Sequence, residues 1–67
     1  MARLWRARWR HHHIDAMLCG SGAGWELTFL RDDRPLVVWK FGDRETAVAD
    51  ADRRLSELLR AGWTDHW

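Results

Sequence analysis

Residues 25–41 read WELTFLRDDRPLVVWKF, two apolar runs separated by a short polar segment. Alternate positions of both runs are large and apolar: Trp25, Leu27, Phe29, Val37, Trp39 and Phe41. Alternation with a period of two is typical of strands that bury one face. Aspartate and proline favour chain reversal, so we expect a turn at residues 32–35. The stretch therefore predicts a β-hairpin with one strongly apolar face.

A helix is predicted directly after this hairpin, from about residue 44 to residue 61. Asp43 can accept a hydrogen bond from a free amide of the first helical turn, which is the usual role of an N-cap. Gly62 adopts a left-handed conformation at little cost, so we expect it to end the helix and to fold Trp63 back onto Leu58. Apolar residues recur at helical spacing and form one stripe: Ala47, Val48, Ala51, Leu55, Leu58 and Leu59.

A further strand is expected before the hairpin, at about residues 11–19, where Ile14, Ala16 and Leu18 alternate with other residues. The glycine-rich segment 20–24 connects it to the next strand. The predicted order is β-β-β-α within one domain spanning residues 1–67. The fold class is α+β, a three-stranded antiparallel meander with the C-terminal helix packed on one face.

Residues 1–10 form a basic segment that contains Trp5 and Trp9. One continuous strand from residue 4 to residue 18 would place both tryptophans on the sheet face opposite the helix. A bulge near residues 11–13 would instead turn them towards the core. The first arrangement is slightly favoured, so this segment is expected to extend the first strand.

The predicted sheet face opposite the helix is more apolar than a solvent-facing surface requires. A chain of 67 residues builds only a small core, which makes self-association a reasonable expectation. Tryptophan is also enriched at binding hot spots. We therefore expect a small non-enzymatic domain whose partner is another protein or a second copy, as in a homodimer. The expected contact residues lie on that face: Trp5, Trp9, Met17, Leu30, Leu36 and Val38.

An alternative function is nucleic-acid binding by the N-terminal segment, in which Trp5 and Trp9 stack on bases. Residues 1–13 carry four arginines and no acidic residue, whereas the whole chain has a net charge of only +1. The four candidate phosphate-binding residues are Arg3, Arg6, Arg8 and Arg10. A solvated basic strand is the more ordinary interpretation, because domains that bind nucleic acid usually have a pI above about 9.

Residues suited to chemistry are few. His11 and His13 share one side of an extended strand and form a weak candidate for a metal site, although zinc normally requires about four protein ligands. The glycines at 20–24 lack the Gly-Lys-Ser/Thr ending of a phosphate-binding loop. Cys19 lies about 20 Å from His13 along an extended strand, so no nucleophile and base pair locally. We therefore expect no catalytic residues and no cofactor.

Composition favours a water-soluble chain. No run approaches 18 consecutive apolar residues, so no membrane span is expected. The arginine-rich beginning lacks the apolar run of a signal peptide. A single cysteine, Cys19, cannot form an internal disulfide, and small secreted domains usually contain several. The cytoplasm is the expected compartment.

Residues 24–67 resemble a group of small bacterial proteins of unknown function. The resemblance rests on Trp25-Glu26-Leu27, the charged turn before Pro35, the capped alanine-rich helix and the ending Gly62-Trp63-Thr64. It implies a β-β-β-α domain and brings no active site with it. The element order is also similar to three-stranded DNA-binding domains such as the integrase amino-terminal domain, which read the major groove with a basic sheet.

Overall fold

A computed structural model describes residues 1–65 as one antiparallel sheet covered on one face by one helix. The elements in chain order are β1 (Ala2–Trp9), β2 (His12–Ser21), β3 (Gly24–Arg31), β4 (Arg34–Phe41), α1 (Arg44–Arg60) and β5 (Thr64–Asp65). The order across the sheet is β4-β3-β2-β1-β5. The α+β class and the C-terminal helix are confirmed. The expected three strands are wrong, because the described residues form five.

The additional N-terminal strand arises from a tight turn at Arg10 and His11. Trp9 pairs with His12 across this two-residue loop, and β1 then runs back along β2. Arg10 takes a positive φ of 56° to close the turn. Neither loop residue is a glycine, asparagine or proline, which is why the turn carries no strong sequence signal. The expected single strand from residue 4 to residue 18 is therefore wrong.

Trp5 occupies the centre of the core. The β1–β2 register places it beside Ala16 on the face that α1 covers, and only 2% of its surface is exposed. Its indole N–H donates a 2.9 Å hydrogen bond to the carbonyl oxygen of Ala51 in α1. The expectation that Trp5 lies on the open face is wrong, because the turn at Arg10 reverses the chain and sets Trp5 facing the helix.

The remaining core lies between the middle of the sheet and α1. The buried alanines of the helix, Ala47 and Ala51, allow a close approach to the crowded sheet surface. Phe29 packs 6.0 Å from Trp5, measured between ring centroids. Other buried or partly buried members of this core are Ala7, Ile14, Ala16, Leu27, Phe41, Leu55, Leu58 and Trp63.

Two β-bulges change which side chains face the helix. The register of β1 shifts between Arg3 and Trp5, so that Leu4 packs against the core. The register of β4 shifts opposite Phe29, and Leu36 is the additional residue there. A bulge puts two residues opposite one and redirects the side chain of the extra residue. Leu36 therefore lines the helix side of the sheet, and its expected place on the open face is wrong.

The β3–β4 turn consists of Asp32 and Asp33. Both residues have positive φ, 50° and 69°, as a two-residue hairpin turn with the twist of its strands requires. The Asp32 carboxylate also accepts hydrogen bonds from the backbone N–H of His13 at 3.0 Å and from Nδ1 of His12 at 2.9 Å. The hairpin is confirmed, and its turn is fastened to the beginning of β2. Pro35, expected in the turn, lies within β4.

Both ends of α1 have the expected caps. The Asp43 side chain accepts a 2.8 Å hydrogen bond from the backbone N–H of Thr46. At the other end, the backbone N–H of Trp63 bonds the carbonyl of Leu58, while Gly62 has a φ of 106°. This is a Schellman motif, which pairs helix-end carbonyls that would otherwise lack partners. The chain then continues into β5 beside β1.

Trp9 lies near the end of the core rather than on the open face. It contacts Trp63, with ring centroids 5.9 Å apart, and Arg10 stacks over its ring at 4.5 Å. The expected open-face position is wrong for Trp9 as well, because Trp9 follows Trp5 and Ala7 on the same side of β1. The sixth tryptophan, Trp67, falls outside the described residues.

Replacing Trp5 should destabilise the chain far more than replacing Trp9. We expect Trp5→Ala to lower the free energy of unfolding by about 4 kcal/mol, because it leaves a large cavity in the core. Trp9→Ala should cost about 1 kcal/mol, because much of its ring is already in water. Urea unfolding followed by far-UV circular dichroism measures both values.

The Trp5→Phe variant covers the case in which Trp5→Ala does not fold. It keeps a ring in the core and loses the indole N–H, so the expected loss is about 1–2 kcal/mol. Equal losses for Trp5→Ala and Trp9→Ala, or no loss for Trp5→Phe, would contradict this description of the core.

Candidate interaction surface

The largest exposed apolar feature lies on β4. Four consecutive residues of this strand are exposed: Leu36 by 59%, Val37 by 36%, Val38 by 47% and Trp39 by 44%. Strands that bury one face normally alternate exposed and buried residues. On β4 both faces reach solvent, and only Phe41 at its end is partly covered. We call residues 36–39 the β4 apolar run.

The position of β4 in the sheet explains this exposure. β4 is the outermost strand on one side and pairs only with β3 among the described elements. The buried alanines of α1 pack where Trp5 and Leu27 form the floor, so the helix covers the strands next to β4 more fully than β4 itself. The side chains of Val37 and Trp39 face the helix side of the sheet, but α1 does not cover them fully and they remain exposed to solvent.

A groove of about 260 Å³ separates β4 from the C-terminal half of α1. Leu36 and Val37 form one wall, Arg54, Glu57 and Leu58 form the other, and the floor is apolar. The floor residues are Trp5, Ile14 and Phe29. A concave apolar surface with a charged rim is typical of a docking site. The groove is continuous with the helix-facing half of the β4 apolar run.

Arg54 covers part of this surface with its planar guanidinium group. Its Cζ atom lies 5.2 Å from the ring centroid of Phe29 and 5.4 Å from that of Trp39. Its Nε atom donates a 2.8 Å hydrogen bond to Asp50, which also pairs with Arg53. The charge on Arg54 is therefore balanced within the helix, and Trp39 remains 44% exposed beside it.

The open face of the sheet carries a narrower apolar patch. Of the six expected contact residues, Met17, Leu30 and Val38 lie on this face, as the pairing of Met17 with Thr28 and of Thr28 with Val38 indicates. Charged side chains on neighbouring positions divide the patch, among them Asp15, Glu26 and Lys40. Val38 belongs to the β4 apolar run, Leu30 lies beside the run opposite Pro35, and Met17 lies two strands away from β4.

Arg6 and Asp15 form a bidentate ion pair on the open face. Nε and Nη2 of Arg6 donate hydrogen bonds of 2.5 and 2.9 Å to the two carboxylate oxygens. The Asp15 side chain is 4% exposed. Arg6 holds the pKa of Asp15 below its ordinary value of 3.8, against an opposing effect of burial. The pair therefore stays ionised at neutral pH and neutralises one arginine of the N-terminal segment.

The candidate metal ligands are placed differently from the expectation. His13 comes close to Asp15 and Asp33, and one donor atom of each lies within 4.8 Å of the others. His11 belongs to the β1–β2 turn and is not part of this group. Both oxygens of Asp15 already accept hydrogen bonds from Arg6, so a cation there would compete with the guanidinium group for the same carboxylate. We assign no metal site to these residues.

The four arginines proposed for nucleic-acid contact do not form one free cluster. Arg3, Arg6 and Arg8 lie along β1, and Arg6 is neutralised by Asp15. Arg10 follows in the turn and stacks on Trp9. Trp5 is buried, so of the two tryptophans only Trp9 can offer ring surface to a base.

Sequence reasoning missed two of the features that form this surface. Val37 and Trp39 were expected beneath the helix, and the groove beside Arg54 was not anticipated. The signal present in the sequence is the uninterrupted apolar run at residues 36–39, because a strand with one wet face would carry polar residues at every second position. Its meaning depends on β4 being an edge strand, which the hairpin pattern alone does not show.

Comparison with known proteins identifies no relative. No family model matches the chain, and no curated protein or solved structure is significantly similar to it. The resemblance of residues 24–67 to small bacterial proteins stays a prediction. Among residues 1–65, no helix has both the length and the apolar character needed to cross a lipid bilayer.

The Arg6–Asp15 pair should make the stability of the chain depend on acid pH. A carboxyl group whose folded-state pKa is depressed stabilises the fold fully above its unfolded pKa, here near 3.8. This contribution disappears as the pH falls through the folded-state pKa. Asp15→Asn should therefore lower the free energy of unfolding by about 2 kcal/mol at pH 7. The difference from the wild type should shrink below pH 3.8.

Urea unfolding of both chains at a series of pH values measures this effect. Glu57→Gln is the matched control, because its ion pair with Arg53 is exposed on both sides. We expect the control to change stability by less than about 0.5 kcal/mol at pH 7. A difference between Asp15→Asn and wild type that stays constant down to low pH would contradict the assignment.

Proposed function

We propose that this chain is a non-catalytic protein-interaction domain that associates with a second copy of itself through β4. The contact surface is the β4 apolar run, residues 36–39, together with Leu30 beside it on the open face. The single observation that carries the proposal is the exposure of four consecutive apolar residues on an edge strand. Such strands are normally short, charged or covered, because they otherwise pair with another chain.

The contrast between the two edges of the sheet supports this choice. On the β1 side, the chain returns after the helix and adds Thr64 and Asp65 as the short strand β5. The hydroxyl of Thr64 also donates a hydrogen bond to the carbonyl of Arg8 at 3.2 Å. The described chain thus covers this edge at Ala7 and Arg8 with its own residues. The more apolar edge at β4 has no such cover among the described residues and is available to a partner.

The proposal retains part of the expected contact set and changes the rest. Leu30, Leu36 and Val38 remain, and Val37 and Trp39 are added on the side that faces the helix. Trp5 is withdrawn because it is core, and Trp9 because it packs on Trp63 at the opposite edge. Met17 lies two strands away from β4 and contributes at most a margin of the contact.

No residue grouping on the described surface favours catalysis over interaction. The titratable groups of Arg6, His13 and Asp15 are engaged with one another on the open face. The cytoplasm remains the proposed compartment, since Cys19 lies among strand residues without a second cysteine in the chain. A reducing environment would keep this thiol free.

Nucleic-acid binding remains the second candidate because Arg3, Arg8 and Arg10 form a basic margin along β1 and its turn. Arg10 and Trp9 together present a cation and a ring, the combination that single-stranded nucleic acid contacts. The neutralisation of Arg6 and the burial of Trp5 weaken this candidate relative to self-association.

Self-association predicts a mass that rises with concentration and depends on Trp39. We expect the wild type to approach twice the monomer mass of 8.0 kDa in sedimentation equilibrium or light scattering. Trp39→Glu should weaken association about thirtyfold or more, the effect of losing an interfacial hot spot. The matched control is Leu59→Glu, which replaces an equally exposed apolar residue on the helix.

Leu59→Glu should associate like the wild type, and circular dichroism should show that both variants fold. A wild type that remains monomeric at about 1 mM, the weakest range of specific association, would overturn the proposal. Equal loss of association in the two variants would show that the contact does not depend on β4.

The nucleic-acid alternative is tested by titrating a mixed-sequence single-stranded DNA and the matching RNA at several salt concentrations. We expect no binding that depends on Arg8 or Arg10. An affinity that falls steeply with salt and drops further in Arg8→Ala would favour the alternative, since each neutralised phosphate releases counterions. Thr28→Ala, on the open face of β3, serves as the uncharged control.

A further inference from the structure

We propose that two copies join by direct antiparallel pairing of β4 with β4, which forms a continuous ten-stranded sheet with both helices on the same side. The pairing is centred on Trp39, so that Val38 of one copy lies opposite Lys40 of the other. This inference rests on the proposed self-association and specifies its geometry. It is tested separately from self-association below.

The backbone groups that face outward from β4 follow from the register. Asp32 donates its N–H to the carbonyl of His13 in β2 at 3.0 Å. Backbone groups alternate in direction along a strand, so Phe29 and Leu27 of β3 direct theirs towards β4. Their partners on β4 are Val37 and Trp39. The N–H and C=O groups of the intervening residues, Val38 and Lys40, therefore point away from β3 into solvent.

Pro35 and the Leu36 bulge confine any added strand to the second half of β4. Proline has no N–H to donate, and at an edge it occupies a position whose backbone nitrogen faces outward. The bulge at Leu36 interrupts the regular alternation next to it. The uninterrupted segment is residues 37–41, and its central residue is Trp39. A two-fold axis at Trp39 uses this segment completely.

This register makes the most hydrogen bonds that the edge allows. Val38 and Lys40 of opposite copies exchange both N–H···O=C bonds, and the two-fold axis repeats the exchange, which gives four bonds in all. A register centred on Val38 would pair Val38 with itself and give two. It would also place Lys40 opposite Leu36, where the bulge disturbs the strand.

The side chains are also compatible with this register. On the helix side, Trp39 meets Trp39 of the second copy, and Val37 meets Phe41. The apolar layers formed by Leu27 and Phe29 then become continuous between copies. The two Trp39 residues form a non-hydrogen-bonded pair. In such pairs the Cα atoms lie about 4.5 Å apart and the side chains are closer than in hydrogen-bonded pairs.

Charge does not oppose the pairing. On the open face, Lys40 lies beside Glu26 of its own copy and opposite Val38 of the other. Because each Lys40 lies opposite Val38, the two Lys40 residues are offset from each other by two residues, which is about 7 Å along the strand. The alternation of Glu26, Lys40, Val38 and Thr28 across the junction places no like charges directly opposite. The strand is thus self-complementary, which favours a second copy over a different extended chain.

The decisive experiment removes the outward N–H at residue 40. Lys40→Pro abolishes two of the four hydrogen bonds and sets a ring against the second copy, while the β3–β4 ladder keeps all of its donors. Lys40→Ala is the matched control, because it removes the same side chain and keeps the N–H. We expect association within about threefold of wild type for Lys40→Ala. Lys40→Pro should remain monomeric over the same concentration range, with an unchanged far-UV spectrum.

A cysteine series in a Cys19→Ser background checks the register independently of whether Lys40→Pro folds. Trp39→Cys should form an intermolecular disulfide under mild oxidation, because a non-hydrogen-bonded pair brings the two Cβ atoms close enough for a disulfide. Val37→Cys should not, because its two copies are offset by four residues, roughly 13 Å. The yield of crosslinked dimer is compared between the two variants at equal protein concentration.

The outcomes separate this geometry from self-association itself. If Lys40→Pro associates like the wild type, or if Val37→Cys crosslinks as readily as Trp39→Cys, the copies meet by another arrangement and the edge pairing is wrong. Self-association would still stand in both cases. A wild type that stays monomeric would overturn both proposals together.

Discussion

The hydrogen bond from the indole of Trp5 to the carbonyl of Ala51 is the contact on which the arrangement of sheet and helix depends. It joins the first strand to the only described helix across 46 residues of sequence. A buried tryptophan usually has an acceptor for its N–H, because an unpaired buried donor destabilises the fold. The small side chains at positions 47 and 51 let the helix approach closely enough to provide one. The helix is thereby fixed against β1.

That placement leaves a consequence at the other side of the sheet. A single helix cannot cover five strands, and the strand left least covered is β4. Four consecutive residues of β4 are apolar, which is typical of strands buried on both faces. Within residues 1–65 nothing provides this second cover. The β4 apolar run and the groove beside Arg54 thus have the same cause, which is that α1 covers β4 incompletely. One partner could therefore cover both.

Much of the fold can be predicted from the sequence where local chemistry decides it. The alternation from Trp25 to Phe41 and the caps at Asp43 and Gly62 depend only on residues that are close together in the sequence. The β1–β2 turn could not be predicted, because Arg10 adopts a left-handed conformation without glycine or asparagine. The Leu36 bulge likewise gives no local signal. The candidate surface depends on both, since the turn decides what is core and the bulge decides where Leu36 points.

The open face shows why a surface predicted to be apolar can be a poor interface. Once β1 joins the sheet, its arginines lie on this face beside Asp15 and close part of it with a bidentate ion pair. Separating that pair on binding would cost more than a few apolar contacts return, because a buried charge without its partner is strongly destabilising. The backbone of β4, in contrast, has donors and acceptors that water alone satisfies and that another strand can satisfy equally well. Burial of the apolar side chains of β4 between the two copies would further favour association, because it removes apolar surface from water. The same five-stranded topology that removes Trp5 from the surface therefore moves the favoured contact from the face of the sheet to its edge.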